Sequence, residues 1–257
     1  MFEALLGNGL ILKKIIESIK ELVTEVNFEV SSEAISMQAM DASHVALVVL
    51  VLRASEFEEY RCDRPQTLGV SITNLAKLLK IAGNDDSIIL RAEDEANVLT
   101  LVFTGKNNGK MCEFNLNLLT LDTEHLGIPD QDYSAEVRMS SSEFSRICRE
   151  LTQVTDTLNL SVDKESVRFA VSGDLGAGCI TMRANSSDKA EEKVILTVNE
   201  TVTMSFALRY LNLFNKAAGL SDEVSVSLSA EVPVVIKFAF DIGEIKYFLA
   251  PKISEDA

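Results

Sequence analysis

The sequence has no tryptophan, and only two histidines, four prolines and four cysteines among 257 residues. Each scarcity removes a class of function. His44 and His125 have neither a second histidine nor a cysteine at ligand spacing, so no zinc site is expected. Cys62, Cys112, Cys148 and Cys179 are scattered and never form a CxxC pair. With no secretory signal at the start, they read as free thiols in a reducing, cytosolic or nuclear compartment. The longest apolar run, VALVVLVL from Val45 to Leu52, is far shorter than the ~20 residues of a membrane helix. It fits a strand buried on both faces. Nucleophile elbows, P-loop lysines and dinucleotide-binding glycine spacings are also missing. GDLGAG, Gly173 to Gly178, reads as a tight turn between strands, and Asp85-Asp86 as a turn after a helix. Neither catalysis nor a cofactor is expected.

Positive charge is scarce too. Twenty-four bases face 39 acids, a formal net charge of −15, which repels a polyanion on average. With 47% hydrophobic residues the chain can bury a core, as one large domain or two of ordinary size.

A repeat organises what is present. A slide of 132 residues lays Lys14, Ile15 and Ile16 over Arg146, Ile147 and Cys148, and Phe28 and Val30 over Leu160 and Val162. A slide of 136 sets Leu68, Val70 and Ile72 on Met204, Phe206 and Leu208, and Leu75 and Leu78 on Leu211 and Phe214. Each half reads as two rounds of a strand, a short helix and several strands. Alternations such as Val224, Val226 and Leu228 against serines mark the strands. Ser140 with Glu143 predicts a capping box, and Gly83 and Gly219 predict helix ends. The expected class is α+β, four short helices among large sheets.

The apolar stripes of these helices are Leu12, Ile15, Ile16, Ile19 and Val23; Leu75, Leu78 and Leu79; Phe144, Ile147, Cys148 and Leu151; and Leu211 with Phe214. Their other faces carry Lys13, Lys14, Lys20, Lys77, Lys80, Arg146, Arg149, Arg209 and Lys216, nine of the 24 bases. For any single helix an ordinary solvated face explains them, and Glu17, Glu21, Glu143 and Glu150 dilute the excess. Four equivalent helices with one bias, against the global sign, point to a basic face for duplex phosphates. No aromatic side chains interleave these bases, so single-strand stacking is not indicated.

Two stretches, AISMQAMDASHVALVVLVLRASEF (Ala34 to Phe57) and RCDRPQTLGVSITNLAKLLK (Arg61 to Lys80), resemble the proliferating cell nuclear antigen family, the eukaryotic sliding clamps of DNA replication and repair. LGIPDQDY and YFLAPKI extend the similarity, which runs essentially from Met1 to the tail. The resemblance implies two similar clamp domains, residues 1–117 and 135–257, joined by a connecting loop, 118–134. It implies helices on one side of large sheets and a nuclear, non-enzymatic homotrimer closing head to tail around double-stranded DNA. The nine bases would then face DNA, with Gln153 interrupting the pattern where relatives carry a basic or imidazole side chain.

The resemblance further implies a groove for motifs of polymerases, a clamp loader, flap nucleases and ligases. Its residues would be Met40, His44, Val45, Leu47, Leu126, Ile128, Pro129, Tyr133, Pro233, Phe248, Ala250 and Pro251, with Phe248 where tyrosine is frequent. The connector LDTEHLGIPDQDYS (Leu121 to Ser134) would lie over a sheet, explaining its apolar Leu126, Ile128 and Tyr133. Lys164 matches a lysine that the family modifies with ubiquitin in translesion synthesis; from VDKES alone it is a turn lysine.

Subunit joints would involve Lys110, Cys112, Phe114 and Leu116 of one strand and Ala177, Cys179, Thr181 and Arg183 of another. By alternation alone, edge-to-edge pairing between copies is evenly matched with an ordinary place inside a sheet or at a capped edge. Two other assignments stand beside the homotrimer, a subunit of a heterotrimeric checkpoint clamp and a peptide-motif scaffold that does not encircle DNA.

Overall fold

The computed structural model describes residues 1–94, 97–106, 109–122, 126–128, 131–185, 189 and 192–252. They form two compact units: Met1–Ala42 with Val48–Gly127 and Phe240–Ile245, and Ser43–Leu47 with Ile128–Ala239 and Lys246–Ala257.

The first half of the chain runs β1 (Phe2–Leu6), α1 (Leu10–Ile19), β2 (Glu25–Val30), β3 (Ala34–Met40), β4 (Ala46–Arg53), β5 (Glu59–Cys62), β6 (Gln66–Ser71), α2 (Ile72–Leu79), β7 (Ser87–Ala92), β8 (Val98–Thr104) and β9 (Met111–Asn117). The second runs β10 (Ala135–Ser140), α3 (Ser141–Leu151), β11 (Thr157–Val162), β12 (Ser166–Gly173), β13 (Gly176–Arg183), β14 (Ile195–Val198), β15 (Val202–Ala207), α4 (Leu208–Phe214), β16 (Glu223–Leu228), β17 (Val234–Phe240) and β18 (Gly243–Leu249). The same strand order is built twice. The row β5-β1-β7-β8-β9 is matched by β14-β10-β16-β17-β18, and β4-β3-β2-β6 by β13-β12-β11-β15.

The helices form where the sequence periodicity places them. Ile15, Ile16 and Ile19 of α1, and Phe144, Ile147 and Cys148 of α3, are at most 1% exposed. Burying such a large apolar side chain stabilises by about 1.5–3 kcal/mol, so these stripes outweigh the weak propensity of short helices. In α2 the buried face is Ile72, Leu75, Ala76 and Leu79, and Leu78 is only half-buried. The ideal 3.6-residue period turns Ala76 inward in its place. Tyr210 joins Leu211 and Phe214 in the buried face of α4, and Phe214 stacks on Tyr247 at 4.6 Å.

Caps follow the serines. Ser71 Oγ accepts from Asn74 N at 3.3 Å and Ser140 Oγ from Glu143 N at 3.4 Å, each satisfying an otherwise unpaired donor. The expected reciprocal box is half-formed, because the Glu143 carboxylate takes Arg146 instead. Gly83 and Gly219 are not left-handed caps. α2 ends at Lys80, and Gly83 N donates to the Asp86 carboxylate at 2.7 Å, while Gly219 lies within a 3-10 turn, Asn215–Leu220. GDLGAG is the β12–β13 hairpin turn, with Gly176 at φ +131°. β4 is buried along one face and half-buried at Val49 and Val51, so the expectation of burial on both faces is too strong.

Candidate DNA-facing helices and partner groove

Each unit carries a helix pair that gathers its bases. In the first unit a cleft of about 270 Å³ opens between α1 and α2, floored by Ile16, Ala76 and Leu79 and rimmed by Lys13, Lys14, Glu17 and Lys80. Lys13 bends inward, donating to the Ala82 carbonyl just beyond α2 and reaching Asn84 Oδ1 at 3.4 Å. There it opposes the negative end of the α2 dipole. Lys20 Nζ sits 2.5 Å from Glu17 Oε1, whereas Lys14, Lys77 and Lys80 are exposed.

In the second unit Arg146 is clasped by two carboxylates of its own helix, Glu143 at 2.5 Å and Glu150 at 2.9 Å. The Arg146 guanidinium holds the Glu143 carboxyl below the usual carboxylate range. Arg149 is exposed in the last turn of α3. The Arg209 guanidinium lies over the Tyr210 ring, 4.9 Å from its centroid. Asn212 Nδ2 donates to Thr152 Oγ1 at 2.7 Å, tying α4 to the end of α3, and Lys216 projects from the following 3-10 turn. Residues 10–22, 72–83, 141–155 and 208–220 hold nine bases against four acids, while the rest of the chain, which includes Asp85 and Asp86 just beyond α2, holds 15 bases against 35 acids. The positive excess is therefore confined to the helix pairs.

The groove residues fall partly in each unit. In the second, Ala250 N donates to Val45 O at 3.1 Å, which sets His44 and Val45 beside Ala250 and Pro251. His44 takes φ 55°, a left-handed conformation that a non-glycine residue holds at a cost. Phe248 and Tyr133 are half-buried, Pro233 is exposed, and Ile128 is 40% exposed. Leu47 is 9% exposed. In the first unit Met40 is half-buried, and Leu126, 38% exposed, is held through its carbonyl by Gln38 Nε2 at 2.8 Å. Pro129 lies outside the described residues.

Beyond Leu118, whose N donates to Asn97 O at 2.8 Å at the end of β9, the connector is bonded to the sheet of the first unit. Leu119 N donates to Gly69 O at 2.8 Å, Asn27 Nδ2 to Leu121 O at 3.3 Å, and Gln38 to Leu126 O. None of the three partners was among the sequence-predicted site residues. Gly69 alone left a signal, because a glycine inside a strand marks close backbone approach. A Cβ there would lie 2.1 Å from Leu119 O.

Cys112, Phe114 and Leu116 alternate along β9, the end strand of its sheet, with Leu116 buried on its own core; Lys110 precedes the strand. Ala177, Cys179, Thr181 and Arg183 are all exposed on β13, also an end strand. Lys164 is exposed at the tip of the β11–β12 turn, whose Asp163 Oδ1 accepts from Glu165 N and Ser166 N, both at 2.8 Å.

Among the described residues no group of His, Cys, Asp or Glu is placed to hold a metal ion, and no helix is long and apolar enough to cross a membrane. Two family models match the chain: proliferating cell nuclear antigen, N-terminal domain, over residues 1–125, and proliferating cell nuclear antigen, C-terminal domain, over residues 127–252.

Proposed function

The chain belongs to the proliferating cell nuclear antigen family and is a DNA sliding clamp, and on that premise we propose that three copies close head to tail around duplex DNA as a processivity factor for replicative polymerases in the nucleus. Clamp domains of this family are non-enzymatic and serve DNA replication and repair. The clamp acts by topology: an encircled duplex cannot leave sideways, so weak phosphate contacts suffice and permit sliding. Lys14, Lys77, Lys80, Arg149, Arg209 and Lys216 are exposed and supply these contacts together with Lys13, Lys20 and Arg146, of which Arg146 is clasped by Glu143 and Glu150.

The carrying observation is the state of the strand edges. The β6 edge is covered where Leu119 N meets Gly69 O, and the β15 edge where Lys252 N meets Ser205 O. β5 and β14 are only four residues long. β9 and β13, seven and eight residues, have one strand neighbour each among the described residues. Long bare edges invite pairing. A second copy supplying β13 to β9 covers both edges, and a heterologous contact that closes makes a ring. This supports a homotrimer over a heterotrimeric checkpoint subunit.

The surface at Ile128, Tyr133, Phe248, Ala250 and Pro251, with Met40 and Leu126, takes the apolar motifs of polymerases, flap nucleases, ligases and the clamp loader. Lys164, presented by its pinned turn, is the ubiquitin acceptor for translesion synthesis. The decisive experiment compares retention on circular and linearised DNA after loading. A ring stays on the circle and runs off open ends; equal loss from both overturns the encircling mode, and a monomer in light scattering overturns the homotrimer.

A further inference from the structure

We infer that Gln38 is a positioning residue for the docking strip, fixing Leu126 over the sheet by donating to its carbonyl; the inference rests on the groove reading above. Gly69 and Asn27 are cross-strand partners, and Gln38 stands one step beyond the Phe28–Met37 pair of β2 and β3. The three residues therefore form one row across the adjacent strands β6, β2 and β3. Each meets the connector: Gly69 bonds Leu119 through the backbone, Asn27 Nδ2 bonds the Leu121 carbonyl, and Gln38 Nε2 bonds the Leu126 carbonyl. Successive strands are about 4.8 Å apart, so the connector is fastened strand by strand as it crosses the sheet.

The chemistry of the row suits that task. A glycine lets the backbones touch, and two neutral amides donate to carbonyls without bringing charge beside an apolar surface. The bonds go to the connector backbone only, which leaves the Leu126 side chain 38% exposed for a ligand. An unfastened connector would have to be ordered by each incoming peptide, at an entropic cost to affinity.

The test uses the full-length protein and a fluorescent peptide carrying the clamp-binding motif of a flap nuclease. Gln38→Met keeps the length and removes the donor; Gln38→Lys keeps a donor at the tip. Gln38→Met should weaken the peptide about threefold, the net worth of one hydrogen bond, and speed amide exchange at Leu126–Ile128. Gln38→Lys should restore the slow exchange, whereas its charge beside the apolar strip keeps affinity below that of the native protein. Unchanged affinity and exchange in Gln38→Met, while Ile128→Ala still weakens binding, would overturn the anchoring role and leave the groove standing. Equally fast exchange in the Met and Lys variants would overturn it as well. If Ile128→Ala has no effect, the groove reading fails and this inference with it.

Discussion

Glu143→Gln with Glu150→Gln should strengthen DNA contact by releasing Arg146. In the native helix the Arg146 guanidinium bonds both carboxylates, at i−3 and i+4, so all three of its nitrogens are engaged on the protein. The three side chains together carry one negative charge. Amides in place of the two acids leave one uncompensated cation on the same turn as exposed Arg149. The fold should tolerate this, since exposed pairs of this kind are each worth only about 0.3–0.5 kcal/mol.

The gain is readable as a salt slope. Each phosphate neutralised adds about 0.9 to the fall of log affinity with log salt. One new contact should therefore cost about 3.5-fold more affinity between 50 and 200 mM salt, with tighter binding at the low end. Fluorescence anisotropy with a labelled duplex at pH 7.5 measures it. Arg146 holds the Glu143 carboxyl below its usual range, so the clasp is intact above the ordinary glutamate pKa and opens only as pH falls through the depressed value. A slope unchanged in the double variant but lowered by Arg149→Ala would show that Arg146 does not reach DNA even when free.

Two other outcomes are expected. Burial pushes the Cys148 thiol up to about 12, while the Thr181 hydroxyl lowers that of exposed Cys179. At pH 8, with copies diluted apart, a disulfide reagent should label Cys179 quickly and Cys148 only on unfolding; equal rates would contradict the packing of α3. The neutral Cys148 thiol favours the fold below the ordinary thiol pKa, and that contribution should fade as pH rises toward 12. Gly69→Ala forces a Cβ within 2.1 Å of Leu119 O. It should cost about 1–3 kcal/mol by overpacking, read as a lower urea midpoint at constant m; an unshifted midpoint would mean that the connector yields freely.

Legibility in the sequence followed the range of the interaction. Ile15, Ile16 and Ile19, or Phe144, Ile147 and Cys148, declare a buried helical face because the period alone fixes who points inward. The clasp on Arg146 was legible too, as acids three before and four after, yet it marks only dilution until the distances show all three guanidinium nitrogens engaged. The long-range partners were hidden. Gln38 and Asn27 bond backbone carbonyls about 90 residues away, and a carbonyl has no sequence identity. Half of the capping box failed for a related reason: Glu143 had two partners in reach, and the charged one won. Alternation in β9 revealed which side chains face the core but not that the strand ends its sheet, since pairing partners lie in other segments.

The bare edges of β9 and β13 carry a consequence for mixtures. In the proposed ring every copy lends one edge and borrows another, so a copy blunted at either edge removes the seats of its two neighbours as well as its own. Equal amounts of blunted and intact chains would leave roughly one ring in eight whole. Whole rings fall as the cube of the intact fraction, whereas damage to the groove would merely subtract one berth among three.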